Sequence, residues 1–349
     1  MIGVIINPHS RRNRGRTGLR RRIERVLGKH GRVIETLSVD AIIPALKIFA
    51  DEGRRYWVAD GGDGALHWML NEGVRYFGAE RATEMAVYVP TGGGSVDFVA
   101  QALGMPREPM SILNRLTELV AHNDAPRIVR VRSLDIVGSQ ILYGNRPTEF
   151  RRVGFANAFA GYGANFFGPL ESKPDDKTPS RIARLMATAF AAGAARAVLR
   201  GPLERLKPAF VEKAEHDYLR ALRAVVHLDG RELIDKRGQP VREHTALQCA
   251  SMPLSIAGIL RVFPRANLEQ MHAHAGFLTP IEMARIFPRL MTGRALDHLL
   301  PHAFDGPVKE FRVECTHGDE MTPVIDGEIF YRLPSLTASL GPIFSMGAV

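Results

Sequence analysis

Apolar-rich runs of four or five residues alternate with amphipathic stretches through the first 130 positions. Ile2–Ile6, Val33–Leu37, Tyr56–Ala59 and Met85–Val89 have the apolar density of buried strands, while Thr17–Lys29, Ala41–Glu52 and Gly64–Glu72 space their apolar residues at helical intervals. Strand alternating with helix predicts a parallel sheet covered on its faces by helices, with ligands at the carboxyl ends of the strands. From Arg127 to Phe159 the runs are strand-like, with turn residues at Gly138-Ser139, Gly144-Asn145 and Pro147. Ser180 to Ala224 reads as helical. Strands resume at Val225–Leu228, Thr245–Ser251, Leu260–Phe263 and Phe311–Cys315, with Asp229-Gly230 as a hairpin turn, and the apolar tail from Leu336 to Val349 reads as a final strand. The expectation is an α/β N-terminal domain over residues 1–130. An antiparallel, β-rich second domain follows over 131–334, carrying a helical insertion at about 180–224.

Composition narrows the class. The chain has 349 residues, enough for two domains, and 45% of them are apolar, enough for two cores. No uninterrupted run of 18 apolar residues occurs, and the apolar opening at Met1–Ile6 is too short for a signal peptide, so a cytosolic protein is expected. Cys249 and Cys315 do not make a disulfide framework. The net charge of +9 is concentrated: between Arg11 and Arg32 stand nine arginines and one lysine against the single acid Glu24. Such a cluster suits phosphates or anionic lipid headgroups, or is a solvated helix face. No aromatic residue interleaves with these arginines to stack on bases, so nucleic acid is not expected.

Three loops rich in glycine or turn residues close the early strands. They are Asn7-Pro8-His9-Ser10, with Gly15 and Gly18 beyond; Asp60-Gly61-Gly62-Asp63-Gly64, ahead of the helix carrying His67; and Pro90-Thr91-Gly92-Gly93-Gly94-Ser95. Glycines let a backbone turn sharply and bring its N–H groups against an anion, and the following helix N-terminus adds positive potential. Three such loops at one sheet edge point to phosphate binding. The P-loop pattern, the dinucleotide fingerprint and the protein-kinase motifs are all missing from the sequence.

These residues resemble the diacylglycerol kinase and sphingosine kinase family. Gly61-Gly62-Asp63-Gly64, followed by His67 and Asn71, is similar to its GGDG segment; Asn7-Pro8 to its opening N-P-x-[SA]; Pro90 to Phe98 to its third loop; and Asp326-Gly327-Glu328 to the D-G-E of its second domain. The resemblance implies a nucleotide-binding α/β domain and a β-sandwich lipid domain, with the last strand, 335–349, returning to the first. It implies ATP and Mg²⁺ as cofactors, a lipid substrate met at the membrane surface, and peripheral association with the membrane; a homodimer stays open. Carried over residue by residue, Asp63 is implied as catalytic residue and metal ligand, with Asp326 and Glu328 as catalytic partners, and either aspartate as general base. Asn7, Pro8, Ser10, Gly61, Gly62, Gly64, His67, Thr91, Gly92, Gly93, Gly94 and Ser95 are implied for nucleotide, and Asp97, Tyr162, Gly163 and Asn165 for substrate.

Departures from the family pattern are local. Ala65 replaces the usual threonine after GGDG, the third loop is one residue longer, Gly163 stands where many members have an acid, and Gln270-Met271 replaces an Asp-Gly used for a structural metal by some bacterial members. A small-molecule kinase on the same scaffold, as in NAD kinases, and a decayed lipid-binding protein are the alternative readings. His272 and His274 share one strand face, and Cys315-Thr316-His317 is compact, but neither has a third ligand at zinc spacing, so strand packing is expected for both.

Overall fold

A computed structural model describes the chain except residues 95, 143–145, 166, 168–183, 185–186, 189–190, 192–219, 257–259, 295, 297–299 and 301. By its contacts the chain divides into two units, Met1–Ser133 with Gly341–Val349, and Leu134–Leu340.

In the first unit, β1 (Ile2–Ile6) is flanked by β2 (Gly31–Glu35) and β3 (Tyr56–Asp60), and β3 by β4 (Val87–Pro90), all parallel. The end of the last strand, β19 (Ser335–Ala348), joins β4 in parallel through Met346 opposite Tyr88. β1, β3 and β4 are buried throughout, as apolar runs covered on both faces must be. Tyr88 anchors this core with its ring edge-on to Trp57 and Phe344, and its hydroxyl donates to Ala82 O at 2.8 Å. The helices are α1 (Leu19–Leu27), α2 (Ile42–Asp51), α3 (Asp63–Phe77), α4 (Ala79–Glu84), α5 (Phe98–Ala102) and α6 (Pro109–Ala121). α1 turns Ile23 and Leu27 inward against α6 and leaves Arg20, Arg21, Arg22 and Arg25 exposed, so the basic cluster covers one surface. The start of α6 is fixed by Glu108 accepting from Ser111 N–H (2.7 Å) and by Pro109 in the first turn.

The second unit is sheet-rich. Long strands β5 (Arg127–Ile141) and β6 (Pro147–Gly154) pair antiparallel. The predicted turn at Gly138-Ser139 is therefore strand. Gly138 serves close approach instead, since a Cβ there would lie 2.3 Å from Ser335 O of β19. β7 (Ala156–Gly161) runs into the single turn α7 (Tyr162–Asn165). Most of the predicted helix 180–224 lies outside the described residues, and its last three positions belong to strand β8 (Leu222–Leu228). Asp229 and Gly230, both at positive φ, turn β8 into β9 (Arg231–Glu232), as the sequence implied.

Then follow β10 (Glu243–His244), β11 (Ala246–Ala250), β12 (Leu254–Ile256), β13 (Leu260–Val262) and β14 (Met271–Gly276). Helix α8 (Pro280–Thr292) opens on a Thr279/Glu282 capping box. β15 (Ala303–Val308), β16 (Glu310–Cys315), β17 (Val324–Ile325) and β18 (Glu328–Ile329) complete the count before β19. Within this unit one sheet carries β8, β16 and β19 in adjacent positions. A second has the order β15-β14-β11-β7-β17-β18, and Phe159 and Phe311 bring the two into ring contact at 4.6 Å.

Candidate active site

In-register pairing makes the three loops neighbours. Ile6 stands opposite Asp60 and Ala59 opposite Pro90, so β1, β3 and β4 end level and release their loops side by side. Backbone bonds then stitch loop to loop: Asn7 N–H to Asp60 O (3.0 Å), Gly93 N–H to Gly61 O (2.7 Å) and Arg12 N–H to Gly93 O (3.3 Å). The glycines are required by proximity. A Cβ on Gly62 would lie 2.5 Å from Gly94 Cα, and one on Gly93 would lie 3.0 Å from Gly61 O. Ser10, on the first loop, is buried, and its Oγ meets no partner among the described residues.

The carboxylates of these loops face backbone donors. Asp63, half-buried in the first turn of α3, accepts from Phe98 N–H at 3.0 Å and Val99 N–H at 3.2 Å, so it caps α5 from another loop. Asp97, at φ 54°, accepts from Gly94 N–H at 2.7 Å. Burial holds the Asp97 carboxyl above the usual range, opposed by that bond and by the charges of Arg12 and Arg11. In the second unit Asp326 occupies the left-handed corner between β17 and β18 at φ 50°, 3% exposed, with its Oδ1 accepting from Phe155 N–H (2.8 Å) and Ala156 N–H (2.9 Å). Glu328 is half-buried two positions on.

Residues 1–125 match the family profile described as the diacylglycerol kinase catalytic domain, the stretch that carries all three loops. No protein of curated function matches the chain. Among solved structures, two of a protein provisionally assigned as a diacylglycerol kinase from Bacillus anthracis strain Sterne align over 100% of this chain. One is 13% identical with a TM-score of 0.61 over 96% of its own length, the other 14% identical with 0.61 over 97%. A third, a diacylglycerol kinase from the same strain, is 11% identical with a TM-score of 0.57 over 100% of this chain and 96% of its own. At these identities the likeness is one of fold, and it runs the length of both units.

At these loops the first unit also holds two residues outside the assigned set, Asp60 and Asn13. Asp60, 1% exposed, accepts from the Thr91 hydroxyl through Oδ1 (3.1 Å) and from Asn13 Nδ2 through Oδ2 (3.1 Å). The same Asn13 amide donates to Asn7 O at 3.1 Å, and Thr91 Oγ1 accepts from Gly61 N–H at 3.2 Å. One buried carboxylate thus ties the first, second and third loops together. Burial raises its carboxyl above the ordinary range, against the pull of Thr91, Asn13 and Arg16. The available signal was an acid closing an otherwise apolar strand.

Other assigned residues are placed plainly. His67 is 1% exposed on the buried side of α3, with its ring edge-on to Trp68. Pro8 and Gly64 are half-buried at the loops, while Gly92 takes φ 45° with its backbone buried. Ser95 lies outside the described residues. In the second unit Tyr162 N–H donates to Thr245 O (2.7 Å) and its hydroxyl to Leu278 O (3.2 Å), while Asn165 Nδ2 donates to Arg220 O (3.1 Å). Gly163 explains its own departure from the family pattern. A Cβ there would lie 2.3 Å from Gln248 Oε1, so Gln248 fills the space an acidic side chain would need.

Proposed function

We propose that this chain transfers the γ-phosphoryl group of ATP to the hydroxyl of a lipid, with Mg²⁺ as the metal. The observation that carries the reading is the stitched glycine cradle at the carboxyl ends of three parallel strands, beside which the buried Ser10 Oγ has no hydrogen-bond partner among the described residues. A phosphate oxygen suits such an orphaned hydroxyl. Arg11, Arg12 and Arg16 act electrostatically on Asp97 and Asp60, so positive charge reaches the loops that would receive a triphosphate.

The donor set also fits Mg²⁺. Asp63 offers carboxylate oxygens, the ligand type that ion prefers, at the mouth of the glycine loops. Bound there, Mg²⁺ would offset charge on the transferring phosphate. The chain's own residues would do the rest. The N–H groups of Gly62, Gly64 and Gly92 would hold phosphates while those of Gly61, Gly93 and Gly94 brace the loops, Asp63 is fixed by α5, and a carboxylate, Asp63 or Asp326, takes the proton of the attacking hydroxyl.

For the acceptor, the second unit offers an apolar lining of Ala246, Leu278, Met283, Ile286 and Leu300, with Gln248 and His274 at its polar side, around a cavity of about 30 Å³ that must widen to admit an alkyl chain. Tyr162 packs against the same cluster, and Met283 and Leu290 are flexible enough to re-pack around an alkyl chain. No helix among the described residues is long and apolar enough to cross a membrane. The exposed arginines of α1 would hold the protein at an anionic surface.

Radiolabelled ATP offered with diacylglycerol, a sphingoid base, ceramide and NAD, and resolved by chromatography, tests the reading. Label in a lipid product is expected. Label in NAD alone would transfer the assignment to a small-molecule kinase, and no labelled product would leave the cradle without its reaction.

A further inference from the structure

β14 carries His272 and His274 on one face, and β15 sets Asp305 directly opposite His274 in the antiparallel register. The three side chains converge. His272 Nε2 lies 3.0 Å and His274 Nε2 2.7 Å from the same Asp305 Oδ1, and their potential ligand atoms all lie within 4.8 Å of one another. All three residues are buried. The sequence offered two histidines without a third ligand; the return of the chain from α8 into β15 supplies it.

We infer that His272, His274 and Asp305 form a binding site for a divalent transition metal of the zinc class, separate from the phosphate loops although His274 also borders the apolar cavity. Two imidazoles and one carboxylate are a donor set for zinc-like ions, whereas Mg²⁺ takes oxygen. The surroundings support the ligands. Asp305 Oδ2 accepts from Leu296 N–H at 2.8 Å, and the Gln248 amide meets His274 Nδ1 at 3.1 Å, so two ligands are oriented from behind. Phe263 lies nearly flat on the His274 ring (centroids 4.7 Å, 25°) and edge-on to His272 (5.9 Å, 83°), which keeps bulk water off the pair. It does so from a left-handed backbone at φ 59°, a conformation unfavourable for an aromatic residue and held where its ring covers the histidines.

The competing state is a metal-free hydrogen-bond triad in which both imidazoles donate Nε2–H to one carboxylate oxygen. An ion at the two Nε2 atoms moves each proton to Nδ1. At His274, a turn of the Gln248 amide then presents oxygen to Nδ1–H. At His272, Arg265 N–H, which donates to Nδ1 at 3.3 Å, must withdraw, and this is the longest contact in the cluster. The imidazole–carboxylate separations must also open, because ligands at about 2.0–2.1 Å from a tetrahedral ion stand about 3.3 Å apart.

Full-length protein stripped by chelator and titrated with Co²⁺ should take up one equivalent with the visible absorption of a four-coordinate ion. Zn²⁺ should displace it, and Mg²⁺ in excess should not. His274→Gln and Asp305→Asn should each weaken uptake by at least about tenfold, while His317→Gln leaves it unchanged. X-ray absorption on the zinc-loaded wild type should count two imidazoles and no sulfur, which keeps the test decisive if the variants fail to fold. Absence of stoichiometric uptake, a different ligand count, or uptake indifferent to both His274→Gln and Asp305→Asn would overturn the site and leave the triad as hydrogen-bonded packing.

Discussion

Asp63 and Asp326 each receive two backbone N–H donors, yet they sit in opposite kinds of corner. Asp63 is half-buried at the start of a helix and divides its donors, Phe98 to Oδ2 and Val99 to Oδ1. Asp326 is 3% exposed on a left-handed turn and takes both donors, Phe155 and Ala156, on Oδ1. A Cβ on Gly154 would stand 2.9 Å from its Oδ2, so even that oxygen is closely walled. Access separates the two more than hydrogen bonding does. Asp63 is built like a group that meets a ligand, and Asp326 like a group that first holds the entrance to β7.

The sharpest break between them is in stability. Asp326→Ala removes the acceptor of two N–H groups, one of them buried, and should cost about 4 kcal/mol, against about 1 kcal/mol for Asp63→Ala, which removes a helix cap. Urea denaturation of the two variants checks this, and equal losses would erase the contrast.

Titration separates the units next. Burial holds His244, in the second unit, at a pKa of about 4. Its folded value lies below the unfolded one, so stability is complete above about pH 6.5 and drains away as pH falls towards 4, by about 3 kcal/mol in all. Asp60 has the opposite sign. Its folded value lies above the unfolded one, so its contribution is full below the ordinary carboxylate range and is lost as pH rises through the folded value. Both tryptophans, Trp57 and Trp68, lie in the first unit, so tryptophan fluorescence follows that unit alone. His244→Gln should flatten the acid limb seen by circular dichroism, and an unchanged limb would move its cause elsewhere.

On rate, Asp63→Asn should lose about 10²-fold in phosphoryl transfer while remaining folded, as expected of a general base or metal ligand. Asp326→Asn keeps an Oδ1 acceptor and with it the corner, so a similar loss would assign chemistry to Oδ2. Turnover within a few-fold of wild type would leave Asp326 as a residue that holds a strand. If both act on one proton transfer, the double variant should lose less than the product of the single losses.

The smallest effect expected is at the cradle. Gly62→Ala puts a methyl 2.5 Å from Gly94 Cα and pushes the second and third loops apart, so ATP affinity measured by calorimetry should fall by about tenfold. Unchanged affinity in a folded variant would detach the glycines from phosphate binding.

Much of this was legible in local pattern. Ile2–Ile6 formed the strand its residues predicted, Tyr56–Ala59 extended by one residue to Asp60, and Asp229-Gly230 turned a hairpin because two adjacent positive φ values suit that dipeptide. Val33–Leu37 was read two residues late, because Gly31 and Arg32 pair with β1 although neither is apolar. α8 was missed although Thr279, Pro280 and Glu282 spell a capping box. The helical spacing of Ile281 to Leu290 was interrupted by Pro288, which the helix tolerates. The Gly138-Ser139 reading failed because glycine marks close approach as well as turns, and only the neighbouring strand decides between them.

By itself, the sequence determined the glycine loops, their place at strand ends, the charge cluster and the D-G-E corner, because each is a property of adjacent residues and the backbone they allow. Only the tertiary structure decided that Asp60 joins Asn13 and Thr91, that Gln248 occupies the space over Gly163, and that Asp305 meets His272 and His274. The physical reason is common to all three. Their partners are brought together by strand order and register, which are set by burial of apolar faces far apart in the chain, and no spacing in the sequence encodes which polar side chains those registers leave face to face.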